Sequence, residues 1–548
     1  MTINENLNER LLQQEINEDL DNTDIDDDLD ESIAYVPSNK KLIQIYNYFY
    51  HKGYYNIVSL QIFNLLTSIF MLVFLNFMFT CIDYKGLKQL REEETSFKNY
   101  IDFSNFYKNN FIYIFTTIII ILYITVRVIG IGNDITDYYK IKKFYNKKLN
   151  IDNRKIDTIT WEEIVEKLEL LYGNDYNIYN TNMKILKKDN IITTILSSNI
   201  NKFLYSRLIE WNIIYCIFDY LFDNNYNIKE NIYTDRNKIV KKIKQNLFII
   251  SVLTYLFMPL LIVYLFFYSF LKYGEKFYNN PSKITSKQWS LKAKWKLRYY
   301  NELKHELKER LNKSSQYADA YCNIFNYKIV STICKFIIFV FSSFFIMLLL
   351  LSFYNEHLLL NLNVSKNKPI LWYLGILGSI IALGKNMTKE KNMEKINCID
   401  KLVGYIRYLP KRFKDEYNSI EMKKSITNVF EYQIYTFLKE YFSVLIIPYS
   451  LIYLSNYVDN IIDIILDNVE YDNNLGYVDK NSNFRTLNDK SGDKKIISFS
   501  EFRNRYHNWG ANIELYQIGD NSKIIHRSIK KEETGNIQTT YDSNISII

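Results

Sequence analysis

The stretch LFIISVLTYLFMPLLIVYLFFYSFL, residues 247–271, decides how this chain is read. It runs 25 residues without a charge and carries Pro259 at its centre. As a helix it is about 37 Å long, more than the ~30 Å hydrocarbon core of a bilayer. Basic residues crowd both flanks: Lys229, Arg236, Lys238, Lys241, Lys242 and Lys244 before it, and Lys272, Lys276, Lys283, Lys287, Lys292, Lys294, Lys296 and Arg298 after it. Cytosolic loops of membrane proteins carry an excess of Lys and Arg. The stretch therefore either crosses once or enters and returns to the cytosolic side.

Working outward, further apolar blocks lie at 58–82, 111–133, 336–354, 369–384 and 441–458, the last with Pro448 inside it. If all six crossed from a cytosolic N-terminus, 272–335 with 14 Lys and Arg and 385–435 with 11 would be lumenal. Treating 247–271 and 441–458 as re-entrant makes every basic block cytosolic, which the charge rule favours. Complete crossing stays open, because long loops translocate regardless of charge and membrane prolines are tolerated when neighbours satisfy the backbone. With re-entry only 83–110 and 355–368 face the lumen. The second holds the sequon Asn363-Val364-Ser365, so Asn363 is a glycosylation candidate.

The expected fold is an all-α multi-pass membrane protein with four transmembrane helices and two re-entrant, proline-containing ones. The membrane core occupies 42–470, with cytosolic helical blocks at 134–246, 272–335 and 385–440 and a cytosolic region at 471–548. TWEEIVEKLELL at 160–171 has helical periodicity behind a Thr cap, so these blocks are folded. The stretch 195–222 is amphipathic and aromatic, suited to an interface or to a soluble core. Residues 1–41 carry 12 acids, including DIDDDLDE at 24–31, and form a disordered acidic tail. The acidic start excludes a cleavable signal peptide.

The mean hydropathy of −0.18 averages apolar blocks with lysine-rich ones. The net charge of +8 fits basic loops beside a membrane better than nucleic acid. Five cysteines without CxxC pairing argue against a disulfide framework or zinc site. HELKE at 305–309 lacks the second His of HExxH, and GSIIALGKN at 378–386 departs from the phosphate-loop spacing. No GxSxG or paired-carboxylate arrangement is present, so no catalytic chemistry, metal or cofactor is expected.

Polar residues within or at the edges of the spans are candidates for a lipid path: Arg127, Lys335, Lys439 and Glu440, with Asn64 and Ser68, and Asn76 and Thr80, at i,i+4 spacing. The alternatives are snorkelling anchors for the charges and interhelical contacts for the others. Pro259 and Pro448 are the candidate kinks. Gly375 and Gly378 allow close helix contact. A helix over 298–312 is expected to place Arg298, Glu302, His305 and Glu306 on a salt-bridged face. Leu303 and Leu307 then stand on another face, packed into a partner copy.

These residues bring a resemblance into view. IYNYFYHKGYYNIVSLQIFNLLTSIFMLVFLNFMFTCIDY at 45–84 resembles the first-span signature of the autophagy-related protein 9 family. WSLKAKWKLRYYNELKHELKERLN at 289–312, TWEEIV at 160–165, Leu409-Pro410 and FSEFRNRYHNW at 499–509 fall in the same pattern. The resemblance implies a homotrimer with four transmembrane and two re-entrant helices. It implies phospholipid scrambling between leaflets without ATP, on Golgi- or endosome-derived cytoplasmic vesicles and at the phagophore assembly site, with both termini cytosolic. Its implied partner is a bridge-like lipid-transfer protein (autophagy-related protein 2), beside other autophagy factors. The competing readings are a vesicle scaffold that recruits autophagy proteins and a trimeric ion channel.

Overall fold

The computed structural model describes residues 37–84, 101, 111–197, 206–223, 227–229, 231–279, 286–324, 328–354, 363–365, 368–387, 395–406, 420–472, 474–487, 493–509, 515–518 and 524–527. Most of the acidic tail read over 1–41 lies outside these residues. Its end does not: helix α1 (Asn39–Tyr50) starts inside it, capped by the Ser38 side chain, which accepts from Lys41 N–H. The chain divides into two compact units.

The first unit comprises residues 1–69, 109–185 and 224–226. After α1 it holds the start of α2 (Tyr54–Asn76), all of α3 (Phe111–Lys147), α4 (Trp161–Tyr172) and the start of α5 (Ile178–Ser197). Its core is aromatic: Trp161 lies edge-on to Tyr46 at 5.1 Å, and Tyr48 stacks beside Tyr145 at 4.5 Å. Each buried polar tip finds an acceptor, as such rings require. Tyr145 Oη donates to Ile45 O and Trp161 Nε1 to Asn182 Oδ1, both at 2.9 Å. Thr160 caps α4 through Glu163 N–H while its hydroxyl donates to the Glu163 carboxylate, so the sequence cap is real.

The second unit comprises residues 70–108, 186–223 and 227–548. Its elements are α6 (Arg207–Ile213), a π-helical turn (Ile214–Phe218), α7 (Arg236–Asn279), β1 (Lys287–Trp289), α8 (Leu291–Leu297), α9 (Lys304–Ile324), α10 (Lys328–Tyr354), β2 (Asn363–Ser365) and β3 (Lys368–Pro369). There follow α11 (Ile370–Met387), α12 (Lys395–Ile406), α13 (Ile420–Thr427), β4 (Phe430–Tyr432), α14 (Gln433–Ser455), α15 (Val458–Asn468), the β5–β6 hairpin (Val469–Asp472, Gly476–Asp479), α16 (Asp493–Arg505) and the β7–β8 hairpin (Leu515–Ile518, Ile524–Arg527). Among the described residues the strands form two-stranded antiparallel ribbons. Asn363 opens β2.

Among the described residues, four helical stretches are long and apolar enough to cross a membrane: Tyr54–Phe79, Arg236–Leu271, Thr332–Leu350 and Gln433–Ser455. Ile370–Ala382 is apolar but shorter. The expected spans at 58–82 and 336–354 match two of the four. The expected span at 111–133 lies inside α3, which runs on to Lys147. The other two qualifying helices are the proline-bearing segments, and neither breaks at its proline. α7 runs 44 residues through Pro259, and α14 runs 23 through Pro448. The prolines read as candidate kinks therefore lie within continuous helices, in which each removes one backbone donor without ending the element.

Helices α7 and α14 pack along each other, as do α10 with α11 and α9 with α12. The α10–α11 approach is tightest at Gly384, where a Cβ would stand 2.8 Å from Ile338 Cγ1. Gly378 meets Phe345 at ordinary distance and Gly375 faces open space, so the close contact expected at those two glycines falls at a third.

Candidate functional site

The polar residues singled out at membrane level fall into different local settings. Arg127, in the first unit, is exposed on α3. Lys335, in the second, is exposed on α10. Asn64 is exposed on α2, and Ser68 Oγ donates to the Asn64 carbonyl at 3.0 Å. Thr67, Thr125 and Ser379 likewise donate to carbonyls four residues back. These hydroxyls are satisfied by their own helices and need no partner helix. Asn76 ends α2, and Thr80 lies in the π-helical segment Phe77–Cys81 that follows.

Lys439, a candidate for the lipid path or for an interfacial anchor, is ion-paired. Its Nζ sits 2.7 Å from Glu431 Oε1 and 4.4 Å from the centroid of Tyr435, so it closes the first turns of α14 onto β4. Glu440 faces the other way. Its carboxylate accepts from Arg207 N–H at 2.9 and 3.2 Å and caps α6. Deeper in the pair, the buried Ser251 of α7 donates to the Pro448 carbonyl of α14 at 2.8 Å. Sequence reasoning missed Ser251, since a lone Ser in an apolar run carries no signal of its partner.

Residues 298–312 are not one helix. Arg298 is extended, Asn301 takes a positive φ of 59°, and α9 begins only at Lys304. Asn tolerates this left-handed backbone better than most residues. The turn buries the charges instead of displaying them. Arg310 forks onto Glu302 through Nε and Nη2 at 2.7 and 2.8 Å, and also donates to the carbonyls of Leu297 and Tyr405. Glu302 accepts from Tyr299 N–H and Glu306 from Leu303 N–H. Glu306 also receives Tyr506 Oη at 2.5 Å and the Arg505 guanidinium at 3.0 Å. Arg298 pairs with Asp189 at 2.9 Å. Leu303 is wholly buried within this chain, while Leu307 packs on the cluster around Trp289 and Phe430. His305 is half-buried on α9.

Electrostatics fit this hub of alternating charge. Burial raises the Asp189 carboxyl, but Arg298, Lys304 and Lys188 outweigh it and leave it below the ordinary range. Burial lowers the Arg310 and Arg505 guanidinia, but Glu302 and Glu306 respectively outweigh it and hold both firmly charged. A cavity of about 20 Å³, room for one water, adjoins Tyr300, Glu302, Ser498 and Arg505. The hub ties the 289–312 block to the 499–509 block, two of the stretches that carry the family resemblance. Tyr300 N–H donates to Ser498 Oγ as part of the same joint. The arrangement orders backbone and pins α16. It presents no open nucleophile.

Comparison with known proteins agrees. The family model described as "Autophagy protein ATG9" matches residues 39–485. A Dictyostelium discoideum protein named autophagy-related protein 9 is 28% identical over 488 residues, covering 85% of this chain and 69% of that protein. The Saccharomyces cerevisiae protein of the same name is 25% identical over 480 residues, 82% of this chain and 47% of its own length. The chain thus spans about half the length of the fungal relatives it matches. The cryo-EM structure of Schizosaccharomyces pombe Atg9 superposes with a TM-score of 0.60 at 21% identity, over 80% of this chain and 97% of that one, a likeness of fold. This chain belongs to the autophagy protein ATG9 family.

Proposed function

We propose that this chain is an energy-independent phospholipid scramblase that equilibrates lipid between leaflets as the autophagosomal membrane is seeded and grows. The observation that carries the reading is the polar joint inside the apolar α7–α14 pair, where Ser251 donates to the Pro448 carbonyl. Pro448 and Pro259 lack N–H groups, so the carbonyls of Val444 and Tyr255, four residues earlier, receive no donor from them. A headgroup crosses hydrocarbon slowly because its charges lose hydration. Carbonyls and a hydroxyl along the pair offer it replacement contacts, and such backbone is tolerated where it lines a polar path. Lipid moves down its own imbalance, so no catalytic group is called upon.

We read α7 and α14 as re-entrant. The stretch Trp289–Tyr300 supports this for α14. Trp289 lies edge-on to Phe430 at 4.9 Å, just before α14 begins. Tyr300 Oη and Asp479 share the Thr194 hydroxyl, just after α15 and its hairpin. This 12-residue stretch thus links the ribbon before α14, through Thr194, to the hairpin after α15, as expected when the chain returns through α14 and α15 to the face it left. Family membership supports the rest of the reading: a homotrimer on Golgi- or endosome-derived vesicles and at the phagophore assembly site. There it would receive lipid from a bridge-like lipid-transfer protein (autophagy-related protein 2).

Back-extraction tests the activity. Purified protein is placed in liposomes containing a short-chain fluorescent phosphatidylcholine, and albumin is added outside without nucleotide. The proposal expects nearly all of the probe to be extracted. Extraction that stops at the outer-leaflet half, as in empty liposomes, would overturn it.

A further inference from the structure

The segment from Arg207 to Asp219 carries a feature that neither the core nor the lipid path uses. Trp211 is 70% exposed and Tyr215 66%, while Ile209, Ile213, Cys216, Ile217 and Phe218 on the opposite side are buried in the core with α7, α14 and α15. Residues four apart on an α-helix drift around the axis, and the wider π turn at Ile214–Phe218 drifts back. Arg207, Trp211, Tyr215 and Asp219 therefore stay on one exposed line. The line is basic at its start, where Arg207 lies within repulsive range of exposed Lys294. The acid at its far end is neutralised by Lys188.

The position of the line identifies what covers it. Glu440 fixes the first residue of α6 to the polar beginning of α14. From there α14 continues with Phe442, Leu445, Ile446 and Tyr449 exposed at 50, 41, 48 and 68%, on a helix apolar enough to lie in a membrane. Packed on that helix, α6 starts at the level where charge gives way to hydrocarbon-facing side chains. Trp and Tyr concentrate at that depth because their rings are amphipathic, and neighbouring cations favour anionic headgroups.

We propose that the Arg207–Asp219 segment is an interfacial anchor, in which Trp211 and Tyr215 insert into the headgroup–acyl boundary of the cytosol-facing leaflet beside α14. The inference rests on α14 lying in the membrane and is independent of scrambling.

Depth-resolved fluorescence quenching tests it on the full chain in phosphatidylcholine–phosphatidylserine vesicles. The signal of Trp211 is obtained as the difference between the wild-type chain and Trp211→Phe, a change at an exposed site. Lipids brominated near the headgroup end of the acyl chain should at least halve that difference signal. Lipids brominated near the bilayer centre should quench it less, and aqueous iodide hardly at all. Placing the probe at Tyr215→Trp within Trp211→Phe should report the same depth. Quenching by iodide without loss to bromolipid would overturn the proposal. So would protection from both quenchers, which would mean that protein covers the line.

Discussion

Replacing Arg310 tests the structural heart of the second unit. Its guanidinium makes two bonds to Glu302, two to main-chain carbonyls, and lies 4.0 Å from the centroid of the Tyr299 ring. Both partners of the pair are almost sealed, with side-chain exposures of 5% and 4%. Arg310→Met keeps the helix and much of the volume but leaves Glu302 as a buried carboxylate without its cation. Breaking one side of a buried pair costs about 3–5 kcal/mol. Across the roughly 400 residues of the second unit, at about 2.1 cal/mol/K per residue, that corresponds to a fall in melting temperature on the order of 5 °C. The assay is thermal unfolding of the detergent-purified protein followed by intrinsic fluorescence, at one fixed protein and detergent concentration. The double variant Glu302→Met with Arg310→Met removes both charges, so it should be less destabilised than Arg310→Met alone. A melting temperature within 2 °C of wild type for Arg310→Met, or a double variant with fully additive loss, would refute this account of the hub.

Three further outcomes follow from particular contacts. Burial raises Asp479 from its ordinary 3.8 to about 6, so the folded state holds its proton more tightly, and stability should fall as pH rises between those values. Burial lowers Lys494 from 10.5 to about 7, so stability should be regained as pH rises above 7. Asp479→Asn should abolish the first slope and Lys494→Met the second, read as melting temperature against pH relative to wild type. Gly384→Val should cost about 1–3 kcal/mol by driving branched carbon into Ile338, while Gly375→Ala should be tolerated, measured by the same unfolding assay. Ser251→Ala should cost roughly 1–2 kcal/mol by removing a buried donor, and on the proposed function it should also slow lipid exchange.

The long apolar helices were legible because charge-free runs long enough to span hydrocarbon are rare and local. The cap at Thr160 was legible for the same reason: its partner is three residues away. The turn after Arg298 was hidden, because Asn301 supplies the positive φ without a Gly or Pro to mark it. Glu306 was the available clue. Its carboxylate accepts the N–H of Leu303, three residues back, as one half of a capping box does, which marks a helix start at Lys304. The partners of the buried charges were beyond reach, since Arg298 meets Asp189 across 109 positions and Glu306 meets Tyr506 across 200. Lys439 and Glu440 were read as lining because they open an apolar run. Their anchoring contacts come from Glu431, at the end of the preceding ribbon, and from the start of a distant helix. The prolines suggested broken helices, yet packing of α7 on α14 outweighs the loss of one backbone bond in each.

The central claim, lipid exchange between leaflets without an energy source, is tested most directly by dithionite bleaching. Liposomes with headgroup-labelled fluorescent phospholipid in both leaflets are reconstituted with the purified protein, and dithionite, which cannot cross, is added without nucleotide. The account predicts that fluorescence falls well past one half, toward half the fraction of liposomes left without protein. It predicts no change on adding ATP. A plateau at one half, in vesicles shown to be sealed and to contain the protein, would contradict it.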